Sequence, residues 1–488
     1  MEMTRREFVK DSLATLGFLA LPGGLFAAPA GWKAKGRPNL VLGVMSDSHL
    51  RVGYDAVTPG RAFPLKYIQS AFRLFKSRNI DAFVHCGDAS HRGCVREWEF
   101  HKECLDEVFG KRAGPARIVI VGNHELFEYA KVWWPENWQD RQINHDLAKN
   151  YERVWETPYA EVQHWEVKGY HFFGRHWDDK VDEMRQADLI NGKAEELSLA
   201  GRKPFFVLSH KRNHFKCNHS LRAFPNAVAF CGHWHQSNAD WKTIYYDSFG
   251  GFFPTIQCGA CRFDGQNTLG AGEGTFKVPA DVDVNAEGKE QGWHSNKVQS
   301  RQAMIVNVYD DMVVFERHEV GEGGKLGPDW IMPLGEWEQV DGKWKMDGRS
   351  HPFSRDELAK TVGEPEFGRS AKLKVEAVKL QDGGDAVRLS IPLADGNPAS
   401  RVYAYDVVVV GADAQERVPP KLFKSVYFEG VNAGIGHEPQ GGVTTLEIPK
   451  AELPAGNVLT FAVRPLSSLG TKGKAIAAKY APKAKVRS

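Results

Sequence analysis

Five short apolar runs in the first half of this chain are each followed by a segment that contains aspartate, asparagine or histidine. The runs cover residues 41–45, 83–85, 118–121, 205–208 and 227–230. The segments that follow them are Asp47-Ser48-His49, Gly87-Asp88, Gly122-Asn123-His124-Glu125, Ser209-His210 and Gly232-His233-Trp234-His235. In open α/β sheets, ligands bind in the crevice beyond the carboxyl ends of the strands. The pattern therefore predicts one site that is assembled from all five segments.

The stretches between the first three runs have the periodicity of helices. Apolar side chains at helical spacing are Leu65, Ile68, Phe72 and Phe75 in the first stretch, and Val95, Trp98, Leu105 and Val108 in the second. This alternation of strands and helices is typical of βαβ units and predicts an α/β core. We also expect a hairpin over 162–176, a polar-faced helix over 181–199, and a hairpin over 303–317 that closes the first domain.

The length of 488 residues is too great for one compact core, and two or three domains are expected. Residues 321–368 are rich in glycine and proline, match no regular element, and are interpreted as a connecting segment. From Lys372 the apolar period changes to two, which predicts a β-sandwich over 369–470. The lysine-rich residues 471–488 are interpreted as a basic, solvated tail.

The overall composition excludes some classes of protein. The formal net charge is only +2, so electrostatic attraction to nucleic acid is not indicated. The seven cysteines are odd in number and scattered, which argues against a disulfide framework. Cys258 and Cys261 have the spacing of a redox motif, but no clear helix start follows the first of them.

The first 30 residues have the three parts of a secretory signal, ending in the small residues Ala28-Pro29-Ala30. Arg5-Arg6, followed by a phenylalanine and a lysine, resembles the twin-arginine export signal of bacteria. The resemblance implies the twin-arginine export machinery as a partner and a periplasmic or secreted protein after cleavage near Ala30. The alternative is an ordinary basic segment ahead of an amphipathic helix. The apolar part is short and broken by Pro22, so no stable membrane span is expected.

The polar segments contain the mixture of ligands that a two-metal hydrolytic site needs. Two divalent cations about 3.5–4 Å apart can activate a bridging hydroxide for attack on phosphorus. Carboxylates, imidazoles and an amide oxygen suit such ions, and the set fits Mn, Fe or Zn without choosing among them. The candidate ligands are Asp47, His49, Asp88, Asn123, His210, His233 and His235. Asp88 has two carboxylate oxygens and could bridge both ions.

The order of the five segments resembles that of the calcineurin-like metallophosphoesterase superfamily over residues 38–320. The resemblance implies two packed mixed β-sheets flanked by helices. It also implies a first cation held by Asp47, His49, Asp88 and His235, and a second held by Asp88, Asn123, His210 and His233. His124 would then protonate the leaving alkoxide as a general acid.

One position departs from the family pattern. Many members have, three residues after the bridging aspartate, an aspartate that orients the catalytic imidazole. Here that position is His91, and the sequence leaves open whether His91 replaces it. Arg92 matches a phosphate-binding arginine, and an ordinary surface ion pair is the alternative. The candidate catalytic residues are thus His124, Arg92 and His91.

The sequence favours an exported metal-dependent phosphoesterase that acts on a phosphoester of unknown identity, with a phosphodiesterase preferred. One alternative is a phosphomonoesterase that uses the same site. Another is a secreted glycan- or surface-binding protein with a non-catalytic metal site, in which the C-terminal β-sandwich and tryptophans bind the polymer. Trp133, Trp134 and Trp138 could line a site for a sugar or base, and an aromatic packing cluster in a long loop is the alternative. Ser46 and Ser48 have no arrangement typical of a serine hydrolase.

Overall fold

The computed structural model describes most of the chain in separate stretches. They are residues 36–52, 62–63, 65–91, 93–111, 114–126, 146–177, 182–211, 221–233, 235, 238, 244–245, 253–261, 283–284, 290–291, 301–320, 324–325, 329–348, 364–380, 383–394, 402–410, 416–424, 443–453, 458–467 and 471–481. Within these stretches, no helix is long and apolar enough to cross a membrane. The proposed export signal, Arg92 and the three tryptophans at 133, 134 and 138 lie outside them.

The described residues form four α-helices and 25 strands, which are named here in chain order. The helices are α1 Leu65–Ser77, α2 Val95–Phe109, α3 Leu147–Trp155 and α4 Glu183–Glu196. The strands up to residue 346 are β1 Leu40–Met45, β2 Arg51–Val52, β3 Ala62–Phe63, β4 Ala82–His85, β5 Ala116–Val119, β6 Val162–Val167, β7 Tyr170–Arg175, β8 Phe205–Ser209, β9 Ala227–Cys231, β10 Ile244–Tyr245, β11 Thr255–Gln257, β12 Asp283–Val284, β13 Glu290–Gln291, β14 Gln302–Val308, β15 Met312–Glu319, β16 Trp330–Pro333, β17 Trp337–Val340 and β18 Lys343–Met346. The later strands are β19 Lys374–Lys379, β20 Asp385–Pro392, β21 Val402–Val410, β22 Glu416–Lys424, β23 Val443–Pro449, β24 Leu459–Ser467 and β25 Ile476–Tyr480.

The N-terminal part is built on two six-stranded mixed sheets. The first has the order β16-β15-β14-β1-β4-β5, in which β1, β4 and β5 are parallel. The second has the order β10-β11-β9-β8-β7-β6, in which β7, β8, β9 and β11 are parallel. One apolar cluster joins the two sheets, because it contains Leu42 and Val44 from the first sheet and Phe172, Phe206 and Val228 from the second. The sheets therefore pack face to face.

Helices cover the outer face of each sheet. On the first sheet, Phe72 and Phe75 of α1 and Trp98 of α2 are buried against Phe83 of β4. Each buried aromatic side chain of this kind contributes about 1.5–3 kcal/mol. A Cβ atom at Gly43 would lie 2.6 Å from Cγ of Phe75, so glycine at this position of β1 lets α1 approach the sheet closely.

Helix α4 covers the second sheet, where Ile190 and Ala194 pack against Phe173 and Phe205. The predicted arrangement of two packed mixed sheets flanked by helices is thus confirmed. The two hairpins expected over 162–176 and 303–317 are present as β6–β7 and β14–β15.

The C-terminal part is a β-sandwich, as predicted. Its sheets have the orders β19-β20-β23 and β22-β21-β24-β25. They share one core, in which Val387 and Leu389 of β20 meet Val407 of β21 and Phe461 of β24.

Two elements differ from the sequence expectation. Trp330–Pro333 forms β16 and pairs with β15, so the first sheet continues into the stretch that was interpreted as a connecting segment. Ile476–Tyr480 forms β25 and pairs with β24, so the sandwich continues past residue 470, where a basic tail was expected. Both strands are short, and they form because they pair with β15 and β24 rather than because of their own composition.

Candidate metal centre

The candidate ligands follow the carboxyl ends of five strands of the two sheets. Strand β1 ends at Met45, β4 at His85 and β5 at Val119, and these three are parallel neighbours in the first sheet. Strands β8 and β9, which are parallel neighbours in the second sheet, end at Ser209 and Cys231. The structure brings the seven predicted ligands together at the edge where these ends meet, as expected for α/β sheets.

Sharp backbone turns direct the ligands into this edge. Five of the seven have positive φ, namely Asp47 (50°), His49 (43°), Asp88 (54°), His233 (72°) and His235 (47°). Positive φ is uncommon for residues other than glycine. Each such residue costs about 1–3 kcal/mol of conformational strain, and such strained residues occur mainly at functional sites. Gly87 also has positive φ (91°), and a Cβ atom there would lie 2.6 Å from Nδ1 of His210.

One group of ligands lies around Asp47. Its Oδ1 atom is 3.2 Å from Nε2 of His235 and 3.7 Å from Nε2 of His49. The Nε2 atoms of His49 and His235 are 2.9 Å apart. The ligand atoms of these three buried side chains lie within 4.8 Å of one another and could bind one cation.

A second group lies around Asp88, whose Oδ2 atom is 3.0 Å from Nε2 of His210. His233 belongs to the same group, and its Nδ1 atom lies 3.0 Å from Oδ1 of Asn123. Oδ2 of Asp88 is also 3.8 Å from Nε2 of His49, which belongs to the first group. Asp88 therefore lies between the two groups.

The hydrogen bonds of His210 show that the site suits cations. Its Nδ1 atom lies 2.7 Å from the carbonyl oxygen of Cys86 and donates to it, so the neutral ring has its lone pair on Nε2. That buried Nε2 atom has no hydrogen-bond partner, although Oδ2 of Asp88 is 3.0 Å away. The contact with the carboxylate is favourable when a proton or a bound cation lies between the two atoms, and a backbone bond to the other nitrogen is the usual way to orient a metal-binding imidazole. The residues present thus fit the two divalent ions that the ligand set implies.

The charges around the site favour positive charge at the same place. Burial alone would raise the pKa of Asp88, but His210 and its other imidazole neighbours lower it below the usual range, so the carboxylate is ionised. Burial lowers the pKa of His210, and the carboxylates Asp88 and Asp47 more than offset this and raise it to about 9. Burial and the neighbouring His124 lower the pKa of His49 to about 3, so this ring is a neutral ligand.

His124 lies beside the two groups with one nitrogen directed into the site. Its backbone N–H donates to Oδ1 of Asp88 over 2.9 Å, and its Nδ1 atom donates to the carbonyl oxygen of His91 over 2.8 Å. Its Nε2 atom is 3.9 Å from Oδ2 of Asp88. Burial lowers the pKa of His124. The ring is therefore held in one orientation, with Nε2 available for proton transfer.

The structure answers part of the question about His91. The backbone carbonyl of this residue orients His124, because it accepts the hydrogen bond from Nδ1 of His124. The His91 ring is buried and stacks on the His124 ring, with centroids 5.5 Å apart and planes 20° apart. A backbone group of His91 thus orients the His124 ring, and the His91 ring packs beside it.

Glu125 has a role that the sequence analysis did not assign. Its buried carboxylate accepts hydrogen bonds from the backbone N–H groups of Asp88 (3.0 Å), Ser90 (2.8 Å) and Gly122 (2.6 Å). It therefore ties the loop after β4 to the loop after β5. Burial and the nearby Asp88 raise the pKa of Glu125 to about 8. The sequence showed an acidic residue directly after His124. It could not show the hydrogen-bond partners of Glu125, which lie up to 37 positions away along the chain.

A second group that was missed lies behind the first ligand loop. The hydroxyl of Ser48 is 2.7 Å from Nε2 of His85 and 3.2 Å from Nε2 of His101. All three side chains are buried, and His101 belongs to helix α2. Ser48 thus anchors the turn that carries Asp47 and His49.

The motif-like pair Cys258 and Cys261 is buried in this part of the fold. Burial raises the pKa of both thiols. A raised pKa disfavours the thiolate form that redox chemistry requires.

Comparison with known proteins agrees with this geometry. Residues 40–237 match the family model of the calcineurin-like phosphoesterases. No curated protein matches the chain.

Several solved structures are similar at low identity. A purple acid phosphatase, PPD1, from yellow lupin (Lupinus luteus) seeds is 12% identical, with 61% of this chain and 55% of that chain covered and a TM-score of 0.37. A 5'-nucleotidase precursor from Thermus thermophilus is 14% identical, with 56% of this chain and 52% of that chain covered and a TM-score of 0.26. A conserved uncharacterized protein from Streptococcus pneumoniae, described as a predicted phosphoesterase, is 12% identical, with coverage of 60% and 97% and a TM-score of 0.27.

All seven candidate ligands lie within the matched range of residues 40–237. The family match and the two ligand groups together support a calcineurin-like phosphoesterase domain in this part of the chain.

Proposed function

We propose that this chain is an exported, two-metal-dependent phosphoester hydrolase that prefers phosphodiesters. The observation that carries the proposal is the position of Asp88. Its Oδ2 atom lies 3.0 Å from His210 in one ligand group and 3.8 Å from His49 in the other, and 3.9 Å from Nε2 of His124. One carboxylate thus contacts both groups and the candidate proton donor.

We assign four ligands to each cation. The first is assigned to Asp47, His49, Asp88 and His235, and the second to Asp88, Asn123, His210 and His233. Two such cations, when bound, supply a hydroxide nucleophile at neutral pH and neutralise charge on the phosphoryl oxygens. Mn, Fe and Zn all suit this mixture of carboxylate, amide and imidazole.

His124 holds the proton that the leaving group needs. As the new bond to phosphorus forms, the bond from phosphorus to the leaving oxygen breaks, and Nε2 of His124 gives its proton to that oxygen. The hydrogen bond from Nδ1 to the His91 carbonyl keeps the ring oriented for this transfer. Burial lowers the pKa of His124 and so makes the protonated ring a stronger acid.

Support for the finer parts of the proposal comes from the sequence. The closing segment from Gly232 to His235 is shared with nucleotide and phospholipid diesterases, which supports diesters over monoesters. The Arg5-Arg6 segment, with the small residues near Ala30, supports export through the twin-arginine machinery and a periplasmic or secreted location.

The proposal is tested by metal reconstitution. The metal-stripped mature protein is assayed with matched chromogenic diester and monoester substrates while Mn, Fe or Zn is added back singly. We expect at least one metal to restore turnover, with the diester hydrolysed faster. A faster monoester would move the assignment to a phosphomonoesterase. Two bound ions without any hydrolysis, together with binding to polysaccharide, would favour the secreted binding protein instead.

A further inference from the structure

A third group of potential ligands overlaps the first cation position. The ligand atoms of His49, His91 and His124 all lie within 4.8 Å of one another. The ring of His91 also meets that of His49 edge to face, with centroids 5.5 Å apart and planes 81° apart. The imidazole of His91 is not among the seven proposed ligands, and this side chain is only 2% exposed.

The backbone around His91 is held rigidly. Its N–H lies 3.1 Å from the carbonyl oxygen of Leu50 and 3.1 Å from Oε2 of Glu97. The same Glu97 carboxylate accepts a hydrogen bond from the hydroxyl of Ser90 over 2.5 Å. On the other side, the carbonyl of His91 accepts from His124. An imidazole on such a fixed segment is preorganised, which is what a metal ligand requires.

From this arrangement we infer that His91 supplies an additional imidazole nitrogen to the first cation. His49 belongs to both groups, and its Nε2 atom lies 2.9 Å from Nε2 of His235 and 3.7 Å from Oδ1 of Asp47, so the three-histidine group adjoins the first cation position at His49. Of the two remaining rings, His124 is the proton donor, and a nitrogen bound to a cation cannot donate a proton. His91 is therefore the ring that binds, and His124 stacks beside it.

The inference predicts a difference between the two cation positions. The first would have three imidazoles, from His49, His91 and His235, whereas the second would have two, from His210 and His233. Imidazole nitrogen suits Fe, Ni, Cu and Zn, whereas carboxylate and carbonyl oxygens suit Mn, and each position would have two oxygen ligands beside its imidazoles. We therefore expect the first position to select borderline metals more strongly than the second.

The inference rests on the proposed metal-dependent hydrolase, and its test counts imidazoles rather than turnover. In the protein loaded with two Co²⁺ ions, each coordinated histidine gives a paramagnetically shifted N–H resonance that disappears in D₂O. We expect five such resonances for the unchanged chain and four for His91→Phe. The five would come from His49, His91, His210, His233 and His235. A count of four for the unchanged chain, or five for His91→Phe, would overturn the inference.

Metal affinity gives a second measurement. His91→Phe should weaken binding of the first cation by more than about tenfold, since loss of even an outer partner of a metal ligand costs 10–100-fold. His91→Asn should show the same loss, and both variants keep the backbone carbonyl that orients His124. His171→Phe, in β7 and paired with His164, is the matched control and should change neither measurement.

The two proposals fail in different ways. Five shifted resonances without hydrolysis of any phosphoester would remove the proposed function and keep His91 as a ligand. Hydrolysis with only four resonances would keep the function and remove His91 from the metal site. Unfolding curves of His91→Phe and His91→Asn separate loss of a ligand from loss of the fold.

Discussion

The Nδ1 atom of His124 lies 2.8 Å from the backbone carbonyl oxygen of His91. A neutral peptide group therefore orients the proposed general acid, at the place where a carboxylate would stabilise its protonated form. A carbonyl fixes the direction of the ring but adds no negative charge. The direction of the ring is thus fixed, while its proton is held less tightly than it would be beside an aspartate.

Replacement of His124 by asparagine should lower turnover by about 10²–10⁴-fold, the range for general acid catalysis. The loss should be large for alkyl leaving groups and small for nitrophenyl ones, because a good leaving group departs without a proton. The measurement is the slope of log kcat against leaving-group pKa, for the unchanged chain and for the variant. Bound metal should stay at two ions. Loss of metal would identify His124 as a ligand.

Replacement of Asp88 by asparagine should abolish turnover and lower the bound metal from two ions to one or none. Asp88 lies 3.0 Å from His210 and 3.8 Å from His49, so its neutralisation affects both proposed positions. Metal content by mass spectrometry after dialysis checks this. An active variant with two ions would show that Asp88 does not bridge them.

Replacement of Glu125 by glutamine should destabilise both ligand loops. Glutamine has one acceptor oxygen for three N–H donors, which leaves a buried donor unpaired at a cost of about 1–3 kcal/mol. The free energy of unfolding and the metal affinity should fall together. Glu195→Gln, on an exposed site of α4, is the control and should stay within about 0.5 kcal/mol. Equal stability of the two variants would mean that Glu125 does not organise the loops.

The stability of the first domain should depend on pH through Glu316. Burial would raise the pKa of this carboxyl, but His318, Lys325 and Arg78 outweigh it and lower the pKa to about 2. Because the folded pKa is depressed, this stabilisation is present above the unfolded value of about 4.3 and is lost as pH falls toward 2. The unfolding free energy of Glu316→Gln should therefore differ from that of the unchanged chain at pH 6 and approach it at pH 3. A difference that is independent of pH would exclude this ion-pair contribution.

Replacement of Arg5 and Arg6 by lysine should block export through the twin-arginine machinery. A bacterium that has this pathway should accumulate the unchanged chain in the periplasm or medium, and the double variant in the cytoplasm with its first 30 residues uncleaved. Fractionation and N-terminal sequencing check the outcome. Normal export of the double variant would contradict the twin-arginine assignment.

The candidate ligands could be found from the sequence because each one directly follows an apolar strand. Asp47 and His49 after β1, and Asp88 after β4, are local features that need no knowledge of distant contacts. Glu125 and Ser48 were missed because what they do depends on partners in other elements, such as the N–H of Asp88 and the ring of His101.

The strands at the ends of the two domains show the same limit. Trp330–Pro333 and Ile476–Tyr480 are four and five residues long and lie among glycines, prolines or lysines. Their own sequences carry too little periodicity to predict a strand. Pairing with β15 and β24 supplies the hydrogen bonds that their composition did not indicate.

The left-handed backbone at five of the candidate ligands has a consequence for the lifetime of the protein. Backbone strain in the ligand loops lowers the stability of the folded state. Bound ions offset this loss because they bind only the folded geometry. Each ion at a hundred times its dissociation constant adds about 2.7 kcal/mol to the stability of the folded state. Metal supply in the surrounding compartment would then set how long a molecule resists proteolysis, apart from how fast it turns over substrate.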